Sequence, residues 1–131
     1  MKAIRVLLVD DQPSIRNGLT MRLELEPDVT VVGEAADGAS ALRVIEMLKP
    51  DVVVMDYEMP GMNGLDATRA LTEAGIGCAV VMLSIHDDAV VKAAASRAGV
   101  SAFVAKHEPS ERLLAAIRRA ASAKSGEEGQ A

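Results

Sequence analysis

Acids, a hydroxyl group and a lysine stand at the ends of four short apolar runs in this sequence. In chain order these residues are Asp10, Asp11, Asp56, Ser84 and Lys106. Short runs rich in valine, isoleucine and leucine predict strands that are buried on both faces, as in a parallel sheet. Because ligands of open α/β sheets bind at the carboxyl ends of the strands, we expect these side chains to converge on one site.

The residue types at this site favour chemistry on a phosphoryl group. Carboxylates that lie close together repel one another, and a bound proton or a divalent cation relieves the repulsion. Oxygen ligands without histidine or cysteine indicate a hard cation such as Mg²⁺, with Mn²⁺ also possible. Lys106 and Ser84 could hold phosphoryl oxygens together with that cation. A carboxylate between a cation and a lysine can attack phosphorus, so we predict that Asp56 forms an aspartyl phosphate.

Each of these acids taken alone has a simpler explanation. Acids after strands commonly begin turns or cap helices. The joint pattern favours a functional site, because each group ends the appropriate strand. His86 and His107 lie near the site in sequence, but no partner residue has the spacing of a metal ligand, so we do not predict that either binds a metal.

The elements that position the site alternate between strands and helices. Helices are expected to open at Pro13, at Asn63 or Gly64, and after Asp87 or Asp88. Parallel neighbours need crossover connections, so the alternation predicts an α/β fold. Placing strand 1 (Ile4 to Val9) beside strand 3 (Val52 to Asp56) brings their acids together. This gives a flavodoxin-like (βα)5 doubly wound parallel sheet with strand order 2-1-3-4-5.

Periodicity predicts the buried faces of the helices and the end of the domain. The apolar side chains expected to face the core are Ile15, Leu19, Leu23, Leu42, Ile45, Leu48, Leu65, Leu71, Leu113, Leu114 and Ile117. The fourth helix is rich in alanine, so we expect it to pack thinly and to shift easily. The last helix is predicted over residues 110–121, which gives a domain of residues 1–121 and a flexible linker or tail of residues 122–131.

Composition indicates a single soluble globular domain. The chain has 131 residues, of which 50% are hydrophobic and 25% are charged. A formal net charge of -5 argues against direct binding to a nucleic-acid backbone. The single cysteine, Cys78, lies among apolar residues and is interpreted as a small buried hydrophobe. No signal peptide and no apolar stretch of membrane-spanning length is recognisable, so we expect a cytoplasmic protein.

Four motifs together resemble the receiver (phosphoacceptor) domains of bacterial two-component response regulators. They are the Asp10-Asp11 pair, the Asp-x-x-Met-Pro-x-x-x-Gly loop from Asp56 to Gly64, Ser84 and Lys106. The likeness covers about residues 4 to 121. It implies a signal-transduction protein of the phosphorelay type, which assists its own phosphorylation and dephosphorylation but is not an enzyme acting on an external substrate.

The resemblance also implies roles for individual residues. Asp56 would accept a phosphoryl group from a sensor histidine kinase. Asp11, Asp56 and the backbone carbonyl of Glu58 would bind Mg²⁺, and Asp10 would act through a water molecule on the ion. These four residues form the expected metal site.

Other residues would hold the phosphoryl group or respond to it. Ser84 and Lys106 would bind its oxygens, and Phe103 resembles the aromatic residue that moves inward when the serine is recruited. Glu58 and His86 occupy positions that face the attacking water in this family, which implies that they tune the phosphoryl lifetime. The output face would be helix 4, strand 5 and helix 5.

Finer features resemble the LuxR/NarL-type class of response regulators. They lie in residues 32–38 and 106–117. That class implies a homodimer on phosphorylation and transcription regulation through a C-terminal DNA-binding domain. This chain has no such domain, so we expect either an isolated receiver or a truncated regulator.

The sequence departs from the family pattern at two places near strand 5. His107 and Glu108 separate Lys106 from Pro109, and Ala102 replaces a glycine that is common in the family.

Two other classes of function remain open at this point. The first is a phosphorylation-independent, stand-alone protein-binding module, against which the intact acids argue. The second is a Mg²⁺-dependent phosphatase of the haloacid-dehalogenase type, in which Asp10 would carry the acyl phosphate. The sequence lacks the Asp-x-Asp spacing and the cap domain of that family.

Overall fold

Five strands alternate with five helices along the chain. The computed structural model describes residues 2–86 and 88–130. Its elements are β1 (Ile4–Val9), α1 (Pro13–Leu23), β2 (Val29–Ala35), α2 (Gly38–Leu48), β3 (Val52–Asp56), α3 (Gly64–Glu73), β4 (Ala79–Ser84), α4 (Ala89–Ala98), β5 (Ala102–Ala105) and α5 (Ser110–Gln130). All five strands of the predicted (βα)5 fold are present.

The strands form one parallel sheet in the order β2-β1-β3-β4-β5, which confirms the predicted flavodoxin-like fold. β1 and β3 are neighbours, and Val9 lies opposite Met55 in their register. The residues that follow these two strands therefore emerge side by side. β3 and β4 are buried at every position, as their continuous apolar character requires.

Two apolar layers cover the two faces of the sheet. Because successive side chains of a strand point to opposite faces, Val53 and Met55 pack toward α2, α3 and α4. Val52 and Val54 pack toward α1 and α5 on the other side. Rigid strands between two packed layers hold the loops at their carboxyl ends in place.

Side-chain caps set the starts of three helices. Asp37, Asn63 and Asp88 each accept a hydrogen bond from the backbone N–H three residues later. Asn63 and Asp88 are among the predicted caps, whereas Asp87 lies outside the described residues. α4 ends at Gly99, which adopts a φ of 104°, a left-handed conformation that glycine tolerates best.

Among the described residues, α4 packs most tightly near its C-terminal end. Its buried residues are Ala95 and Ala98, which confirms the expected thin packing. The Thr72 hydroxyl on α3 donates a hydrogen bond to the carbonyl of Ala98, at 3.0 Å. Near the other end, the side chain of Val90 is 77% exposed. The packing of α4 thus weakens from its C-terminal end toward its N-terminal end.

A charged cluster attaches α5 to the connection between α1 and β2. The Arg118 guanidinium makes two hydrogen bonds with Asp28, at 2.8 and 2.9 Å, and one with Glu26, at 2.8 Å. These carboxylates raise the pKa of Arg118 above its ordinary value. Paired hydrogen bonds from a planar guanidinium restrict orientation as well as distance, so they help to define the rotation of α5 about its axis.

Two helical predictions differ from the structure. Ile15 was expected to face the core but is 36% exposed, because it lies at the rim of a groove between α1 and α5. The last helix was predicted to end at Ala121, with a flexible linker from Ser122, but α5 continues to Gln130. Alanine, lysine and glutamate in this segment are good helix formers. The division into a domain of residues 1–121 and a tail of residues 122–131 stays a prediction.

The described helices include none that is both long enough and apolar enough to cross a lipid bilayer.

Candidate functional site

Hydrogen bonds beyond the strand ends position the loops that carry the site. The Tyr57 N–H donates to the carbonyl of Leu83, at 2.8 Å, and the Lys106 N–H donates to the carbonyl of Ser84, also at 2.8 Å. These bonds extend the pairing of β3 with β4 and of β4 with β5 by one residue. The predicted site residues at these strand ends are therefore fixed relative to the sheet rather than placed on free loops.

Asp10, Asp11 and Asp56 form a cluster of carboxylates. Each of the three offers an oxygen within 4.8 Å of the oxygens of the other two. Asp10 and Asp56 are each only 2% exposed, whereas Asp11 is more accessible to solvent. Oδ2 of Asp10 is buried and has no hydrogen-bond partner among residues 2–86 and 88–130. A buried carboxylate oxygen without a donor is costly, so it favours a cation at this position.

Lys106 reaches into this cluster from the end of β5. Its Nζ lies 3.0 Å from Oδ1 of Asp56 and 3.6 Å from Oδ2 of Asp10. Burial disfavours its ammonium form, but the hydrogen bond with Asp56 and the charges of nearby acids outweigh burial and raise the pKa of Lys106. The side chain therefore supplies a full positive charge beside the predicted phosphoacceptor.

Burial raises the pKa of Asp56 from 3.8 to about 6. Lys106 and the Glu58 N–H oppose this change, and the charge of Asp10 adds to it. The Glu58 N–H donates to Oδ1 of Asp56 at 3.2 Å. At neutral pH the carboxylate is still mostly ionised, and it is held at a higher energy than an exposed carboxylate because its environment is poorly solvated.

Ser84 is fully buried at the end of β4 and points its hydroxyl group toward Glu58. Its Oγ donates to Oε1 of Glu58 at 2.7 Å and accepts a hydrogen bond from the His86 N–H at 2.9 Å. Nε2 of His86 lies 3.7 Å from the same Glu58 oxygen. The residues expected to hold the phosphoryl group and to tune its lifetime therefore contact one another.

The chain turns closely around Asp56 between β3 and α3. The Gly64 N–H donates to the carbonyl of Tyr57 at 3.1 Å, and a Cβ at Gly64 would collide with the carbonyl oxygen of Asp56. Met59 is buried in the apolar layer beneath the loop. Only glycine at residue 64 allows α3 to begin directly against the acceptor strand.

A family model for the response regulator receiver domain matches residues 6–118. The chain belongs to this family. Receiver domains take part in two-component phosphorelay signalling, in which they interact with sensor histidine kinases and bind Mg²⁺ through acidic residues. The resemblance found in the sequence is thereby confirmed.

This receiver domain is similar to regulators of the LuxR/NarL type. It is 37% identical to the nitrate/nitrite response regulator NarL of Escherichia coli over 119 residues, which are 89% of this chain and 54% of NarL. It is 38% identical to the transcriptional regulatory protein LiaR of Bacillus subtilis, covering 89% of this chain and 56% of LiaR. The chain thus spans about half the length of these curated relatives.

A solved structure shows the same fold as this receiver domain. The signal receiver domain of a NarL response regulator from Mycobacterium tuberculosis superposes with a TM-score of 0.89 at 34% identity. The match covers 93% of this chain and 98% of the solved one. The strand order thus belongs to a receiver fold along nearly the whole chain.

Phe103 of the receiver domain lies on β5, next to Met82 of β4 in the sheet register. Its ring is partly buried against the apolar layer below α4. Nζ of Lys92 on α4 lies 5.9 Å from the centre of the ring, a geometry that allows a cation–π interaction. The predicted switch residue therefore contacts the thinly packed helix.

Among described residues there is no cis peptide bond, so Lys106–His107 is trans.

Arg16 is a residue of the site that sequence reasoning missed. Its Nη1 donates to the backbone carbonyl of Asp10 at 2.6 Å, and its Nε lies 3.3 Å from Oε1 of Glu34 on β2. In the sequence, only its position on the side of α1 that faces the sheet could have indicated this role. Arg16 fixes the backbone at the exit of β1, where the acid pair stands.

Proposed function

We propose that this receiver accepts a phosphoryl group on Asp56 from a sensor histidine kinase in the cytoplasm. One observation carries the proposal: the ammonium group of Lys106 lies 3.0 Å from Oδ1 of Asp56, inside a cluster of acids. A lysine so placed can compensate the charge that an attacking carboxylate brings to a phosphoryl group.

The residues present fit a Mg²⁺ ion, with Mn²⁺ as an alternative. The donors are carboxylate oxygens, and Oδ2 of Asp10 is buried without a hydrogen-bond partner in the described part of the chain. We assign Asp11, Asp56 and the backbone carbonyl of Glu58 as direct ligands, with Asp10 contributing through water. Bound there, the ion would neutralise the carboxylates and the phosphoryl oxygens.

Asp56 is the nucleophile in this proposal. Its carboxylate oxygen forms a bond to phosphorus while the bond from phosphorus to the kinase histidine breaks, and the imidazole leaves with the bonding electrons. Lys106 holds one phosphoryl oxygen through its ammonium group. Ser84 supplies a hydroxyl donor to another. Glu58 and His86 border the site and influence how readily water reaches the acyl phosphate.

Phosphorylation would then change the conformation of the α4–β5–α5 face. The phosphoryl group adds a charge of about -1.5 to -2, which attracts the hydroxyl of Ser84. Movement of Ser84 displaces the connection between β4 and α4 and makes room for Phe103. This face would control homodimerisation and, through an attached C-terminal DNA-binding domain, transcription. The name of LiaR, a transcriptional regulatory protein, supports a transcriptional output.

Intact-mass spectrometry after incubation with acetyl phosphate and Mg²⁺ tests the proposal. We expect one phosphoryl adduct on the wild-type protein and none on Asp56→Asn. An unmodified wild type would overturn the proposal in favour of phosphorylation-independent binding. Release of phosphate from external phosphomonoesters, abolished by Asp10→Asn, would indicate a phosphatase instead.

A further inference from the structure

The single donor proton of the Ser84 hydroxyl is already used in this structure. A hydroxyl group has one proton to donate. Ser84 donates that proton to Oε1 of Glu58, at 2.7 Å, and its oxygen accepts the His86 N–H at 2.9 Å. Ser84 itself is fully buried, whereas the Glu58 side chain is 32% exposed. The hydroxyl cannot donate to a phosphoryl oxygen while it is bound to Glu58.

Glu58 is well placed to hold Ser84. Its carboxylate is a charged acceptor, and hydrogen bonds to charged acceptors are stronger than those between neutral groups. The Glu58 N–H also donates to Oδ1 of Asp56, at 3.2 Å. One residue therefore touches the phosphoacceptor through its backbone and the switch serine through its side chain.

We propose that Glu58 is a positioning residue that holds Ser84 in the resting conformation and so opposes activation. The inference rests on the proposed phosphorylation of Asp56 and adds a regulatory role at the same site. A phosphoryl group on Asp56 places new negative charge near the Glu58 carboxylate. It repels that carboxylate and attracts the Ser84 proton, so both effects favour release of the serine.

Phe103 provides a direct readout because it is the single phenylalanine of the chain. The protein is labelled with 4-fluorophenylalanine, and its ¹⁹F signal is recorded without phosphoryl donor and with saturating beryllofluoride and Mg²⁺ as the phosphoryl mimic. Glu58→Met removes the acceptor at similar length. Glu58→Gln keeps an acceptor oxygen without charge. Glu73→Gln removes one charge from an exposed site on α3 and serves as the matched control.

We expect the signal of unmodified Glu58→Met to move toward the beryllofluoride position of the wild type, with Glu58→Gln in between and Glu73→Gln unchanged. The apparent beryllofluoride affinity of Glu58→Met should rise on the order of tenfold, as loss of a competing charged hydrogen bond implies. A Glu58→Met protein with wild-type signal and affinity would overturn the inference. Circular dichroism verifies that each variant is folded.

A double-mutant cycle with Ser84→Ala separates competition for the hydroxyl from simple charge repulsion. If Glu58 acts through Ser84, Glu58→Met changes beryllofluoride affinity much less when Ser84 is already alanine. An equal gain in both backgrounds would mean that only charge matters and would overturn the inference. Failure of the proposed function has a different signature, namely a wild type that takes up no phosphoryl group from acetyl phosphate by intact mass.

Discussion

Replacing Asp56 by asparagine is expected to stabilise the metal-free protein at neutral pH. The folded protein raises the pKa of this carboxyl from 3.8 to about 6. Above pH 6 the native state carries an ionised group that is less well solvated than in the unfolded chain. Asparagine has a similar shape and no charge, so the variant avoids this unfavourable ionisation.

The size and the sign of the effect follow from the two pKa values. A difference of about two pKa units corresponds to about 3 kcal/mol at 1.36 kcal/mol per unit. Between pH 4 and 6 the native state binds more protons than the unfolded state, so wild-type stability falls as pH rises through this window. The advantage of Asp56→Asn should therefore approach 3 kcal/mol above pH 7 and shrink toward pH 4.

Urea denaturation in EDTA at several pH values between 4 and 7.5 measures this difference. Glu73→Gln, which neutralises an exposed acid on α3, is the control, and its stability should follow that of the wild type across this pH range. A stability gap between wild type and Asp56→Asn that stays constant or widens as pH falls would refute the reasoning. It would mean that the interaction with Lys106 fully offsets the free-energy cost of burying the ionised Asp56 carboxylate.

Three further outcomes are expected. Mg²⁺ at a hundred times its dissociation constant should stabilise the folded wild type by about 2.7 kcal/mol. Asp11→Asn should lose much of this stabilisation. Thermal melts with and without EDTA measure both effects. Gly64→Ala should destabilise the protein by about 2 kcal/mol or more, because the new Cβ would collide with the backbone of Asp56. Gly18→Ala should instead stabilise the protein by about 0.5–1 kcal/mol, because the space around Gly18 in α1 is open. Urea denaturation of both variants measures the two effects. Arg118→Gln should lower the melting temperature more than Arg119→Gln, because the Arg118 guanidinium makes three hydrogen bonds with Glu26 and Asp28. Equal effects would contradict a role for this cluster.

The strands and the acidic cluster could be predicted because they depend on local signals. Continuous apolar runs identify buried strands, and polar residues mark their ends, so the positions of Asp10, Asp56 and Lys106 follow from strand order alone. The helix caps at Asn63 and Asp88 could also be predicted. A short polar side chain directly before a helix commonly accepts a hydrogen bond from a backbone N–H of the first turn.

Features that depend on depth or on side-chain rotamers could not be predicted. Periodicity identified the face of α1 that carries Ile15 but not how deeply that face is covered. The bond between Ser84 and Glu58 joins side chains from two strand ends, and sequence spacing contains no information about their rotamers. The extension of α5 beyond Ala121 was missed because small and charged residues suit both a linker and a helix.

The tighter packing of α4 at its C-terminal end determines how that helix can move. The bond from Thr72 to the carbonyl of Ala98 makes the C-terminal end the natural pivot. A helix of 10 residues is about 15 Å long, so a tilt of about 10° moves its first turn by about 2.6 Å and its last turn hardly at all. Any partner that detects this motion would therefore need to contact the first turn, near Val90.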